Sequence, residues 1–263
     1  MSAGTRPLAG HTALVTGGGR GIGEAVALAL GREGADVVVS ARTHAEIDAV
    51  AARIAEMDVS AYAIACDVTD ETSVESLRDA THADAGPVSI LVNNAGVASS
   101  APLAKVTLEE WNRLMAVNAT GTFLCTRAFL PDMLERGRGR VINVASLSGL
   151  VGAPYVTAYT ATKHAVVGFT RALAMEVAKK GVTVNAVCPG YVETPMTDHT
   201  IRNIQQKTGR SADDARGFIE SLSGHGRLVT PEEVASAVAW LAGDGAASVN
   251  GETIAIDGGN PRA

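Results

Sequence analysis

A chain of 263 residues, 46% of them apolar, can bury a substantial core without disulfide or metal staples. A formal net charge of −6 with no long run of Lys or Arg argues against a nucleic-acid track, and no apolar run reaches the ~18 residues of a membrane span. The polar stretch 1–10 lacks the apolar centre of a secretory signal. Cys66, Cys125 and Cys188 are scattered, and the six histidines show no ligand spacing. A disulfide framework or zinc site is therefore not expected. The composition predicts a cytoplasmic protein with no metal, nucleic-acid or membrane partner.

In chain order, residues 11–16 read as a β-branched strand and 17–23 as a glycine loop. Residues 24–33 read as an Ala/Leu helix stopped by Gly34, and 36–40 as a second strand. Strand, loop, helix and strand make a βαβ unit whose crossover should be right-handed. A helix over 43–56 carries Ala45, Ile47, Val50, Ala51 and Ile54 on one stripe. Strand 61–65 ends at Cys66, Asp67 and Val68, helix 73–83 follows, and strand 89–92 ends in Asn93-Asn94-Ala95-Gly96. Thr107 and Glu110 have capping-box spacing and open a helical region that runs, with breaks, to Arg136. Residues 140–145 are an apolar strand. The helix over 158–179 puts Ala165, Phe169, Leu173 and Val177 on one stripe and stops at Gly181. Strand 182–187 leads into Cys188-Pro189-Gly190. Between 197 and 227, charges, Gly and His interrupt a weak helical pattern, which reads as a lid or binding loop. Thr230, Pro231 and Glu233 combine an N-cap, a first-turn Pro and a capping-box acid for a helix to about 242, and 252–256 is the last strand. Seven strands alternating with helices predict α/β architecture. The expectation is one Rossmann-type domain over 11–259, a doubly wound seven-stranded parallel sheet with helices on both faces, behind a flexible tail 1–10.

Positions four apart share a helix face, so Tyr159 and Lys163 should stand side by side. A free Tyr ionises near pH ~10, and a neighbouring cation favours the phenolate. The pair would then be an acid/base usable near neutral pH. Ser146 follows the strand 140–145, which delivers its hydroxyl at the strand's carboxyl end. Taken alone, such a Tyr/Lys pair is commonly a solvated helix surface, and an Asn such as Asn118 is commonly held by a local hydrogen bond. The loop spacing Gly17-x-x-x-Gly21-x-Gly23, after a strand and before a helix, lets backbone N–H groups approach a phosphate.

Together, the run 16–23, Asn93-Asn94-Ala95-Gly96, Ser146, Tyr159-x-x-x-Lys163 and Cys188-Pro189-Gly190 resemble the short-chain dehydrogenase/reductase family, over about 11–259. The resemblance implies reversible hydride transfer between a nicotinamide and a carbonyl or alcohol. It implies that Tyr159 is the acid/base, that Lys163 lowers its pKa and binds the nicotinamide ribose, and that Ser146 bonds the substrate oxygen as charge develops. Asn118 would hold a water in a proton relay. The resemblance also makes Gly17, Arg20, Gly21, Ile22 and Gly23 cofactor contacts. Asn93 would brace the sheet beside the adenosine ribose, Asp67 and Val68 would hold the adenine, and Val192 and Thr194 would meet the carboxamide.

An acid about 20 residues beyond the glycine loop binds the ribose 2′-hydroxyl of NAD. Residues 39–43 contain none, and Asp36 lies at the opposite end of its strand. Arg42 and Arg20 are instead cations suited to a 2′-phosphate, so NADP(H) is expected over NAD(H). Pro154-Tyr155 ahead of Tyr159, and the run 163–170 through 184–196, are similar to bacterial 3-oxoacyl and aromatic-polyketide ketoreductases, which implies a small-molecule ketone, secondary alcohol or acyl thioester as substrate. Segments 98–103, 147–155 and 197–227 would close the pocket, with Val151, Ala153, Pro154, Val156 and Met196 making it mostly apolar. Arg202, Lys207 and Arg210 read as a solvated helix face rather than a site for a phosphopantetheine or CoA phosphate. Alternatives are an NAD-dependent dehydrogenase of a hydrophobic secondary alcohol, and a non-catalytic dinucleotide-sensing regulator. A sensor would be free to lose the tetrad of Asn118, Ser146, Tyr159 and Lys163. The family commonly assembles through helices corresponding to about 105–136 and 158–180, so a homotetramer or homodimer is expected.

Overall fold

A computed structural model describes residues 6–259. Seven strands lie parallel: β1 (Thr12–Thr16), β2 (Asp36–Ala41), β3 (Ala61–Ala65), β4 (Ile90–Asn93), β5 (Gly139–Val144), β6 (Val182–Pro189) and β7 (Thr253–Ile256). Their spatial order is β3-β2-β1-β4-β5-β6-β7. Sequence order reverses between β1 and β4, and the crevice beyond the carboxyl ends at such a switch point is where open α/β sheets bind ligands. The expected Rossmann-type architecture is the one found.

Successive strand residues point to opposite faces, and both faces are covered. On one, Ala13, Val15, Val37, Val39 and Val92 pack under α1 (Gly21–Arg32), α2 (His44–Ala55) and α9 (Pro231–Ala242). On the other, Leu14, Val38, Leu91 and Val141 pack against α3 (Glu71–Asp84), α5 (Gly121–Glu135) and α6 (Thr157–Val177). Burial on both faces explains why the strands read as continuous Val/Ile/Leu/Ala runs rather than alternating ones. α4 (Leu108–Met115) joins α5 through a π-helical turn, Ala116–Thr120, so the expected broken helix is continuous with one widened turn.

Three expectations need correction. Residues 6–10 are not a loose tail: Leu8 is buried in the core, its N–H donates to Glu33 O (2.8 Å), and Arg6 donates to Met57 O and Asp58 O. Residues 1–5 of that expected tail lie outside the described residues. The stretch 197–227 is not irregular. It holds two helices, α7 (Pro195–Thr208) and α8 (Ala212–Glu220), capped by the hydroxyls of Thr194 and Ser211 and packed around Ile201, Ala215, Ile219 and Leu228. The box at Thr107 is half made. Its hydroxyl accepts from Glu110 N (3.1 Å), but the Glu110 carboxylate is taken by Arg113. At Thr230 both halves form.

Candidate active site

Ser146, Tyr159 and Lys163 converge beyond β5. Ser146 stands two residues past the end of β5, and its hydroxyl accepts from Ser148 N (3.1 Å), fixing the turn that follows. Tyr159 and Lys163 lie in the first turns of α6. The Ser146 side chain lies near enough to the Tyr159 phenol to favour its ionised form. Lys163 is buried; its Nζ donates to Val144 O (2.8 Å) and lies 5.8 Å from the Tyr159 ring centre.

Burial governs the ionisation of both groups, because removing a charge from water disfavours it. The phenol is pushed up to about 12 by burial, with the Ser146 side chain pulling the other way. The ammonium is pushed down to about 8. Burial thus works against the expected phenolate, and one of the three ammonium N–H groups is given to a backbone carbonyl.

Asn118 sits in the π-helical turn, fully buried. Such turns occur often at functional sites. Its Oδ1 accepts from Val97 N (2.8 Å), while its Nδ2 donates to Val97 O (2.9 Å) and to Thr162 Oγ1 (3.0 Å). Thr162 Oγ1 in turn donates to Tyr159 O (2.7 Å). The Asn118 side chain thus ties the segment after β4 to the helix that carries Tyr159 and Lys163. Thr162 was hidden inside the Tyr-x-x-x-Lys spacing, where a buried Thr looks like any small helix residue.

The glycine loop lies beside the same crevice. A Cβ at Gly23 would stand 2.2 Å from Gly17 O and 2.4 Å from Asn94 Nδ2, and one at Gly17 would stand 2.8 Å from Ala95 Cα. Gly17 also has φ +63°, a conformation that favours glycine. Arg20 at the N-cap of α1 supplies no side-chain cap, so the first-turn N–H groups are left for another acceptor. Gly21 faces Thr194, whose Cγ2 would lie 3.2 Å from a Cβ there, and Ile22 packs on the core. The cradle, the uncapped helix terminus and the neighbouring Thr194 fit a dinucleotide with its phosphates on α1.

The comparisons agree with this geometry. Residues 11–205 match the family model for short chain dehydrogenase. The chain belongs to that family. It is 41% identical to a putative ketoacyl reductase of Streptomyces coelicolor, across 95% of this chain and 96% of that one. It is 40% identical to a 3-oxoacyl-[acyl-carrier-protein] reductase of Synechocystis, across 96% and 97%. Its fold superposes with a TM-score of 0.93 on the crystal structure of an actinorhodin polyketide ketoreductase variant with NADPH, 40% identical over 96% of this chain and 98% of that one. As a short-chain dehydrogenase the protein is an oxidoreductase acting between CH–OH and C=O groups with a nicotinamide dinucleotide.

Within this short-chain dehydrogenase the remaining expected residues divide. Asn93 points away from the crevice: its Nδ2 donates to Thr126 Oγ1 (2.9 Å) and Asn143 Oδ1 (2.8 Å), so it braces the sheet. The loop is held by its neighbour Asn94, whose Nδ2 donates to Thr16 O and Gly17 O, both at 3.0 Å. Sequence could not choose between adjacent asparagines; the end of β4 at Asn93 separates them. Asp67 Oδ1 accepts from Thr69 N and Oγ1, and these bonds with nearby Arg42 hold its carboxyl below the usual range. Val68 is buried against Gly121 at the start of α5. Val192 is buried and bridges Val229, and its carbonyl accepts from Thr197 Oγ1 (2.5 Å). Arg42 is exposed at the end of β2; Arg20 is exposed and paired with Glu46, which sequence reading did not consider.

The three segments expected over the pocket are linked. Ala101 N donates to Tyr155 O (2.8 Å), with Tyr155 held at φ +68°. Asn203 of α7 donates to Ser100 Oγ (3.0 Å), and Lys207 to Ser100 O (3.2 Å). Arg210 stacks on Phe218 at 5.0 Å. These contacts absorb two of the three cations weighed for a phosphate. Among the described residues no group of three or more His, Cys, Asp or Glu could hold a metal, and no helix is long and apolar enough to cross a membrane. Cys66, Cys125 and Cys188 are buried free thiols.

Proposed function

We propose that the protein is an NADP(H)-dependent ketoreductase that reduces a 3-oxoacyl thioester or a polyketide-like ketone. The observation that carries the reading is the convergence of Ser146, Tyr159 and the buried Lys163 beyond the carboxyl end of β5. A phenol beside a hydroxyl and an ammonium can pass its proton to a carbonyl oxygen that the two neighbours polarise.

In this reading a carbonyl oxygen lies between Ser146 and Tyr159. A nicotinamide held there would supply a hydride to the carbonyl carbon. Tyr159 gives its proton to the oxygen, and Ser146 steadies the charge that develops there. The nascent phenolate is stabilised by the Lys163 ammonium, and Asn118 holds the helix turn through which the proton is replaced. Gly17, Gly21, Ile22 and Gly23 line the phosphate cradle, Asp67 and Val68 border the adenine, and Val192 and Thr194 border the carboxamide. Arg42 favours the 2′-phosphate, and β2 ends without an acid. The names of the two relatives and of the solved ketoreductase support the substrate class. Helices α7 and α8 serve as the lid, and a homotetramer or homodimer is the expected assembly.

The test is a panel of ketones and acyl thioesters followed by NADPH and NADH absorbance. Turnover of 3-oxoacyl thioesters with NADPH, abolished in Tyr159→Phe, supports the reading. Turnover confined to simple alcohols with NAD refutes it.

A further inference from the structure

We infer that Glu46 is a specificity-determining residue that restrains the preference for NADP(H) by holding Arg20; this rests on the NADP(H) reading above. Glu46 lies in the first turn of α2, which begins three residues after β2. It is turned back toward the glycine loop, where a Cβ at Gly19 would stand 2.8 Å from Glu46 Cβ and 3.3 Å from its Oε2. Its Oε1 lies 3.3 Å from Arg20 Nη1. The carboxylate missing from the end of β2 is therefore present at the same mouth, delivered by the next helix.

Arg20 and Arg42 are the cations next to the expected 2′-phosphate, and each has an acidic neighbour. Arg42 acts on Asp67, whose carboxylate is already bonded by Thr69. Arg20 shares its guanidinium with Glu46, so a 2′-phosphate must draw Arg20 away from a carboxylate that also repels it. A 2′-hydroxyl makes no such demand. Glu46 thus works against NADP(H) while leaving NAD(H) nearly untouched. The pair is exposed, with Arg20 at 69% and Glu46 at 35% side-chain exposure. The effect is accordingly modest and screened by salt.

The experiment measures NADPH and NADH dissociation constants by calorimetry on the full chain, for wild type, Glu46→Gln, Arg20→Gln, the double variant and Arg42→Asp, at low and high salt. Glu46→Gln should tighten NADPH about threefold to tenfold, leave NADH within about twofold, and lose most of its effect in high salt. In the Arg20→Gln background the same change should do little. Equal shifts for both cofactors, or a full Glu46 effect that survives loss of Arg20, overturns the inference. The parent reading fails differently: wild type would bind NADH more tightly, and Arg42→Asp would leave the ratio unmoved. A wild type that prefers NADPH, together with an unresponsive Glu46→Gln, removes this inference alone.

Discussion

Replacing Lys163 with Met removes a buried charge from the centre of the site. The fall of its pKa from 10.5 to about 8 corresponds to about 3 kcal/mol of destabilisation at pH 7. The sign follows from proton counting. Between pH 8 and 10.5 the folded chain holds fewer protons on Lys163 than the unfolded chain does, so stability rises across that window. The variant also loses the bond to Val144 O, worth about 1 kcal/mol. Lys163→Met should thus be inactive yet more stable than wild type by about 2 kcal/mol near pH 7, with the gain gone by about pH 10.5. Tyr159 has the opposite sign. Its pKa is raised from 10.0 to about 12, so its contribution is lost as pH climbs between them, in wild type and variant alike. Urea unfolding at about pH 7, 9 and 10.5, at one protein concentration, measures the difference. A variant less stable at pH 7, or a difference that does not change with pH, would refute the burial argument.

Three further outcomes follow from the packing. Thr162→Val leaves one Asn118 N–H without its acceptor, which should cost about 1–3 kcal/mol in urea unfolding and lower kcat more than it raises KM; Thr162→Ser should restore both, and failure of that rescue removes the strap between Asn118 and α6. Gly23→Ala forces a Cβ into the Gly17 carbonyl and should abolish dinucleotide binding by calorimetry, an outcome negated by an unchanged dissociation constant. Asn94→Ala frees two loop carbonyls and should weaken NADPH about tenfold or more, whereas Asn93→Ala should mainly lower the melting temperature.

The βαβ alternation was legible because both sheet faces are buried, which leaves unbroken runs such as Val37-Val38-Val39 between glycine-marked turns. The Tyr159–Lys163 pair and the glycine loop were legible because their spacings are short, whereas Ser146 and Asn118 were singled out by the family resemblance. What escaped depends on contacts far apart in the chain. Glu46 reaches Arg20 from 26 positions away, Thr162 meets Asn118 across 44, and Leu8 docks under the start of the fold only because Glu33 waits for its N–H. The setting of the Tyr159–Lys163 pair escaped for a similar reason. Helical spacing shows that Lys163 is near, but not that burial works against the phenolate or that one Lys163 N–H is given to Val144 O. Helices α7 and α8 were missed because each hides its apolar residues on a narrow stripe within a polar stretch.

That stripe has a consequence for how such an enzyme diversifies. Ile201, Ala215, Ile219 and Leu228 make a nucleus of their own, set apart from the two large cores against the sheet. Exposed positions of α7 and α8 can be exchanged without disturbing the strands that carry Ser146 or the helix that carries Tyr159. Selection at those exposed positions can then proceed separately from selection at Ser146 and Tyr159.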